Sequence, residues 1–325
     1  MQHIQNSLIE KNLTSPQKKT ARSRILIVLI AICLVILGAF GFRLVRETIR
    51  TFTHHYPGST FFTALRGYFN ANYTYSVLVK KYQPKCHMIS KDGDGFELWD
   101  TPEGQYWMPA GNTQNYWVSL HLSEMDRKIY TRGNQTIRPG DIVIDCGAHV
   151  GFFVRAALKA GAGLVVAIEI APPNLTCLKR NLHTEISSGK VIVYEKGVWD
   201  RDDHLDLNLF DNSGEDSVVF PPEQGKRSIK VALTTLDKIV KELRLQRVDF
   251  VKMDIEGSEQ NALKGAAKTL KKFKPKLSVA VYHLKRDLDV IPALIRQIRP
   301  DYRVECGPIF SNHNGSIVPD IMYFR

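Results

Sequence analysis

The stretch Asp141-Ile-Val-Ile-Asp-Cys-Gly-Ala-His-Val-Gly-Phe-Phe153 restricts the fold of this chain more than any other. Its β-branched opening reads as a strand buried on both faces, the habit of a parallel sheet. Gly147 and Gly151 fall where that strand must turn sharply into a helix, and where a ligand could approach bare backbone. Asp145 stands at the strand's C-terminal end, the edge at which open α/β sheets bind their ligands.

A second strand, Leu164-Val-Val-Ala-Ile-Glu169, also ends on an acid. A carboxylate there suits a ribose, because it accepts two hydrogen bonds from a vicinal diol. A dinucleotide fold would need G-x-G-x-x-G. Gly147-Ala148-His149-Val150-Gly151 is G-x-x-x-G, so that spacing fails. D-x-G-x-x-x-G followed by strand and acid is instead the S-adenosylmethionine (SAM) pattern of class I methyltransferases. It assigns Asp145, Gly147, Ala148 and Gly151 to the cofactor turn and Glu169 to the ribose. A plain strand–turn–helix corner is the competing explanation of the glycines.

From residue 141 onward strands and helices alternate, which predicts a parallel sheet with helices on both faces. The expected fold is α/β and Rossmann-like, with seven mostly parallel strands. Strands are expected over 141–146, 164–169, 190–195, 248–254 and 277–282, with helices near 151–160, 172–183, 235–245, 258–272 and 288–298. An insertion over 203–233 contributes strand-like 205–210 and 228–233. Residues 302–306 and 317–324 read as a terminal antiparallel hairpin. Upstream, Gly93–Trp99 and Gln105–Pro109 read as a hairpin around Asp100-Thr-Pro-Glu-Gly104, and Glu124–Tyr130 as a short helix.

Residues 1–24 are polar and basic, and they read as disordered. Ile25 to Phe42 then run for 18 residues without a charge. As a helix this would span about 27 Å, near the hydrocarbon thickness of a bilayer. The expectation is an uncleaved membrane anchor over 25–42, then a connector and cap over 43–140 and a catalytic domain over 141–325. A cleaved signal peptide is a weaker match, because the segment lacks a clear small-x-small exit. Flanking charges favour a cytoplasmic N-terminus, and sequons at Asn12, Asn72, Asn134, Asn174 and Asn314 agree with a domain across the membrane. SAM, however, is made in the cytosol, so the face stays open.

The net charge of +11 bears on nucleic acid, but residues 1–50 hold eight Lys/Arg against two acids and account for +6 of it. The basicity flanks one apolar segment, and nucleic-acid binding loses its main support. The lysine series from Lys264 to Lys276 trails off a helix C-terminus, where cations are favoured. Five scattered cysteines form no C-x-x-C and no zinc spacing. With 44% apolar and 24% charged residues, composition is that of a globular chain.

Further motifs sharpen the reading. Pro139–Phe153, Ala167-Ile-Glu169 with Asn174 and Asn181, and Thr235-Leu-Asp237 lead to Val248-Asp-Phe-Val-Lys-Met-Asp-Ile-Glu-Gly-Ser-Glu259. The last block is followed by Ala262-Leu-Lys-Gly265 and Lys274-Pro275. With these, residues 120–325 resemble the FkbM-type SAM-dependent methyltransferases. His149 stands where many members carry Asn, and Ser258 replaces a common Ala. The resemblance implies O-methylation of sugars and natural products and leaves the acceptor open: a glycan, glycolipid or small molecule.

Methyl transfer from a sulfonium is an in-line displacement that mainly needs alignment and exclusion of water. A hydroxyl acceptor also needs a group to take its proton. Asp254 and His283 end strands beside the SAM strand, and Glu256 and Glu259 follow within a turn. Asp254, His283 and Glu256 are therefore the catalytic candidates, as base or as a divalent-metal site of Mg²⁺ type. Helix-start acids are the competing explanation of Glu256 and Glu259. Lys252 should share a side with Asp254 and pair with an acid. The loop Lys196-Gly-Val-Trp-Asp200 follows the third strand, where Val198 offers the adenine apolar surface and Asp200 an acceptor for its amine. A methyltransferase fold that binds a partner without catalysis is the rival reading.

Overall fold

The computed structural model describes residues 79–111, 114–210, 214–221, 228–307, 309–311 and 317–325, with 28, 35, 38 and 41 individually. The anchor expected over 25–42 otherwise lies outside the described residues, as do the tail and most of the connector. Among the described residues no helix is long and apolar enough to cross a membrane.

The cap begins with β1 (His87–Lys91), β2 (Glu97–Asp100) and β3 (Tyr106–Met108), an antiparallel sheet in that order. The expected hairpin is its β2–β3 half, with Leu98 opposite Trp107. The exposed strand β1 escaped the sequence reading because no alternation marks it. Helix α1 (Gln114–Arg127) runs much longer than the short helix expected at 124–130. Val118 and Leu122, four apart, are buried on its inner face.

The main domain continues with β4 (Ile142–Cys146), α2 (Phe152–Lys159), β5 (Leu164–Ile168), α3 (Pro172–Asn181), α4 (His183–Ser187) and β6 (Val191–Tyr194). Next come β7 (Gly197–Val198), β8 (Asp203–Asn208), β9 (Ser228–Thr234), α5 (Leu236–Glu242), β10 (Phe250–Met253), α6 (Glu259–Lys264) and α7 (Ala267–Phe273). The chain ends with β11 (Lys276–Ala280), α8 (Asp287–Ile298), β12 (Val304–Cys306), β13 (Ile309–Ser311), β14 (Ile317–Pro319) and β15 (Ile321–Phe324).

Seven of these strands form one sheet in the order β12-β15-β11-β10-β4-β5-β6. Neighbours from β11 to β6 pair parallel, and β15 is inserted antiparallel between β11 and β12. This is the class I methyltransferase-like α/β fold. Alternate residues of each central strand face opposite cores, as the pleat requires. Ile144, Val166 and Val251 pack with α5 to α8, while Val143, Val165 and Phe250 pack with α2 and α3. The sheet order reverses between β4 and β10, which opens a crevice at their C-terminal ends.

Two expectations change in detail. The helix expected over 258–272 breaks into α6 and α7 at Gly265-Ala266. A Cβ at Gly265 would fall 1.9 Å from the Trp199 carbonyl oxygen, so loop and helix meet backbone to backbone there. In the insertion, β8 and β9 pair antiparallel and β7 joins β9 in parallel, so the segment is a small sheet beside the crevice.

Candidate active site

The site grows from the turn after β4. Gly147 takes a left-handed φ of +83°, and a Cβ there would lie 2.0 Å from the carbonyl oxygen of Asp254. Only glycine lets the two strand ends come this close. The amides of Gly147 and Ala148 both donate to the Ile168 carbonyl at 3.0 Å, which fastens the turn to β5. His149 follows with φ +49°, an uncommon conformation for a residue with a side chain. Burial, with His121 and Lys252 nearby, pushes the His149 imidazole well below its usual pKa, so it is neutral.

Glu169 is the best-organised acid of the crevice. Its Oε2 accepts from His149 N at 2.7 Å, and its Oε1 from Ile170 N and Ala171 N at 2.8 Å each. Burial nevertheless raises its pKa, against the pull of these three amides. It faces a cleft with Gly147, Ile170, Val198 and Leu233, where a carboxylate meets an apolar wall.

Asp145 lies elsewhere. It is fully buried beneath the turn, 3.2 Å from the Lys252 ammonium. Residue 252 registers directly against 145 across the parallel pair, which sets the contact. Lys252 also donates to the Gly147 carbonyl at 2.7 Å. Burial drives Asp145 up to about 6 in spite of Lys252. The pairing expected for Lys252 is thus present, and Asp145 supports the turn rather than lining the cleft. Gly151 is likewise internal, closed off by Leu178 and Leu182. Asp200 pairs with Arg201 at 3.0 Å, and the residues lining the Glu169 cleft do not include it. Trp199 packs with the insertion sheet, and its amide donates to Thr234 O at 2.7 Å.

The acid at the cleft's far wall is one that sequence reasoning missed. Asp216, in the insertion, accepts from Phe210 N at 2.8 Å. Burial, then Glu169 and Glu256, carry its pKa up to about 7 against that hydrogen bond. No periodicity or motif marks residue 216, since only the fold of the insertion brings it to the crevice.

The second half of the site collects Asp254, Glu256, Glu259 and His283, as expected of neighbouring strand ends. His283 Nδ1 lies 2.9 Å from Glu259 Oε1, and its Nε2 lies 3.3 Å from Glu256 Oε1 and 3.5 Å from Asp254 Oδ1. Burial opposes charge on the imidazole, but Glu259 and Glu256 carry its pKa well above the usual value. Asp254 is held below the carboxylate range because Lys252, His283 and a Tyr130 hydrogen bond outweigh its burial. Burial raises Glu256, whose backbone sits at φ +51°. The Tyr130 hydroxyl donates to Asp254 Oδ2 at 2.5 Å across 124 residues of chain. No local signal could have announced that contact.

Asp254 and Glu256 also line a second cavity of about 190 Å³. It adjoins the Glu169 cleft at Gly147 and His149 and is lined further by Trp117, His121 and Glu124 of α1 and by Tyr282. Ala148 lines this second cavity, not the Glu169 cleft. The sequon at Asn174 is closed to modification in this fold, since Asn174 is only 2% exposed.

Comparison with known proteins agrees with the motifs. The model of the methyltransferase FkbM domain matches residues 145–304. These residues belong to the FkbM-type methyltransferases. The chain is similar to the 31-O-demethyl-FK506 methyltransferase FkbM of Streptomyces tacrolimicus, 25% identical over 167 residues, covering 42% of this chain and 64% of that protein. Methyltransferase sdnD of Sordaria araneosa is 26% identical over 153 residues, covering 38% of this chain and 59% of that one. The chain thus spans less than two thirds of each relative's length. A crystal structure of methyltransferase FkbM from Methylobacillus flagellatus aligns with a TM-score of 0.47 at 22% identity, covering 66% of this chain and 56% of that one. Within the FkbM-type domain, both clefts and the acid–histidine group lie in the matched region or against it.

Proposed function

We propose that this chain is a SAM-dependent O-methyltransferase. One observation carries the reading: Glu169, a carboxylate held by three amides, shares its cleft at the bare Gly147 turn with Asp254 and Glu256, and those two acids also line the adjoining cavity on the α1 side. The Glu169 cleft takes the adenosyl part of SAM, with ribose hydroxyls on Glu169 and the adenine between Ile170, Val198 and Leu233. The α1-side cavity takes the acceptor. Its hydroxyl oxygen attacks the methyl carbon, the O–C bond forms as C–S breaks, and the electron pair returns to sulfur. The hydroxyl proton passes to the Asp254–Glu256 carboxylates. His283, in contact with Asp254, Glu256 and Glu259, orients those carboxylates.

The acceptor is a hydroxyl of a glycan, glycolipid or related metabolite, and the chain is held at a membrane by residues 25–42. The apolar length of that segment supports the anchor, and the hydroxyl chemistry of the FkbM relative supports the acceptor class.

Calorimetric titration of the full chain with SAM tests the cofactor half. Glu169→Gln should weaken SAM by tenfold or more, since a charge-assisted hydrogen bond contributes about 1.5–3 kcal/mol. Equal affinity in a folded variant contradicts the assignment. Absence of SAM binding in the parent chain favours the non-catalytic binding module. Labelled SAM with fractionated lipids, glycans and small molecules then identifies the acceptor.

A further inference from the structure

Among the described residues, one group has the atoms of a metal site: Asp254, Glu256 and His283, whose donor atoms all lie within 4.8 Å of one another. A cluster of acids alone proves little, because solvated carboxylates often gather without an ion. This cluster differs in how its atoms are used. The His283 side chain is only 3% exposed, yet its Nε2 makes no hydrogen bond. Asp254 Oδ1, buried and facing it, makes none either. Nε2 and Oδ1 stand 3.5 Å apart and Nε2 is 3.3 Å from Glu256 Oε1, so three donor atoms converge on one point and the two buried ones close no hydrogen bond there.

The surrounding contacts are those of a ligand set held in readiness. Metal-binding histidines give their other ring nitrogen to a carboxylate, which fixes tautomer and ring orientation. Here Nδ1 of His283 meets Glu259 Oε1 at 2.9 Å, and that oxygen also accepts from Ile255 N at 2.9 Å. Glu259 is fully buried and belongs to the support, not to the donors. The second oxygen of Asp254 is likewise occupied, by the Tyr130 hydroxyl, which leaves Oδ1 to point inward. Glu256 is brought in by a left-handed backbone, and its carbonyl accepts from Ser217 Oγ at 2.7 Å.

We propose that Asp254, Glu256 and His283 bind a divalent cation that faces the acceptor cavity. An imidazole nitrogen with two carboxylate oxygens suits a first-row ion such as Mn²⁺, Fe²⁺ or Zn²⁺ better than the all-oxygen sets of Mg²⁺ and Ca²⁺. Three protein donors leave positions for a hydroxyl of the acceptor, and a bound cation lowers the pKa of an oxygen it holds. The part played by the ion in catalysis rests on the methyltransferase reading; the binding site does not.

The test is Mn²⁺ titration of the metal-stripped full chain in the absence of SAM, followed by calorimetry and by the electron spin resonance of free Mn²⁺. One saturable site per chain is expected. Spin-echo modulation of the loaded wild-type chain should show a directly bound imidazole nitrogen, a readout that needs no variant. Asp254→Asn and His283→Gln should each weaken Mn²⁺ at least about tenfold, and Glu259→Gln by about 10–100-fold through loss of the histidine's support. Glu169→Gln should leave Mn²⁺ affinity unchanged. Lack of saturable binding by Mn²⁺ or Zn²⁺ overturns the site, as does bound Mn²⁺ without nitrogen coupling. SAM affinity is measured separately without metal, so loss of SAM binding with retained Mn²⁺ counts against the methyltransferase reading alone.

Discussion

At the scale of single residues, the crevice depends on close approach and on buried charge. Gly147 shows the first. Its positive φ and the 2.0 Å gap to the Asp254 oxygen mean that Gly147→Ala must push the two strand ends apart. Backbone strain of this kind costs on the order of 1–3 kcal/mol. The variant should unfold at lower urea and bind SAM more weakly; wild-type values for both would show that the turn tolerates a side chain. Asp216 shows the second. Its folded-state pKa of about 7 lies above the ordinary 3.8, so the folded chain holds that proton more tightly than the unfolded one. The carboxyl therefore lowers stability progressively as pH rises from about 4 through 7. Asp216→Asn should match the parent near pH 4 and exceed it in melting temperature at pH 8. A constant difference across that range would mean the carboxyl is not the titrating group. The sequence marked Gly147 through its motif. Asp216 had no such mark, because its pKa arises from burial and from Glu169 and Glu256, distant in the chain.

At the scale of elements, several of the sequence motifs turn out to join pieces of the fold. Thr235 caps α5 by accepting from Lys238 N at 3.1 Å. Asp237 accepts from the amides of Lys268 and Thr269, tying α5 to the start of α7. Asn181, at the end of α3, exchanges hydrogen bonds with both backbone groups of Trp107 and donates to Val150 O at 2.9 Å. One amide thereby docks the cap hairpin onto the cofactor turn. Asn181→Ala strands these partners, and leaving a buried polar group unpaired costs about 1–3 kcal/mol. Urea unfolding should show a loss of at least that size, with weaker SAM binding if the hairpin shifts the turn. An unchanged midpoint would show that the cap is docked by its apolar contacts alone. Element types in the main domain were legible from periodicity. The extent of α1 and the break between α6 and α7 were not; at the break Gly265 packs on the backbone of Trp199, 66 residues upstream.

At the scale of the whole molecule, the membrane proposal has a direct check. Deleting residues 1–42 should release a folded, SAM-binding protein from membranes, because residues 25–42 form a run of bilayer-spanning length that is apolar throughout. If the truncated protein still sediments with membranes after a high-salt wash, another part of the chain holds it there. The larger division is between what is local and what is not. Strand and helix periodicity, the D-x-G-x-x-x-G turn, the acid at 169 and the block ending in Asp254-Ile-Glu-Gly-Ser-Glu259 are encoded within a few residues, so the sequence alone determined the fold class and the neighbourhood of the site. Which acid meets which partner is decided by strand order and register. Lys252 finds Asp145 because their strands pair in parallel. Tyr130 reaches Asp254, and the insertion brings Asp216 to the cleft. Only the tertiary structure sets these contacts, because direction and burial of a side chain depend on groups far away along the chain.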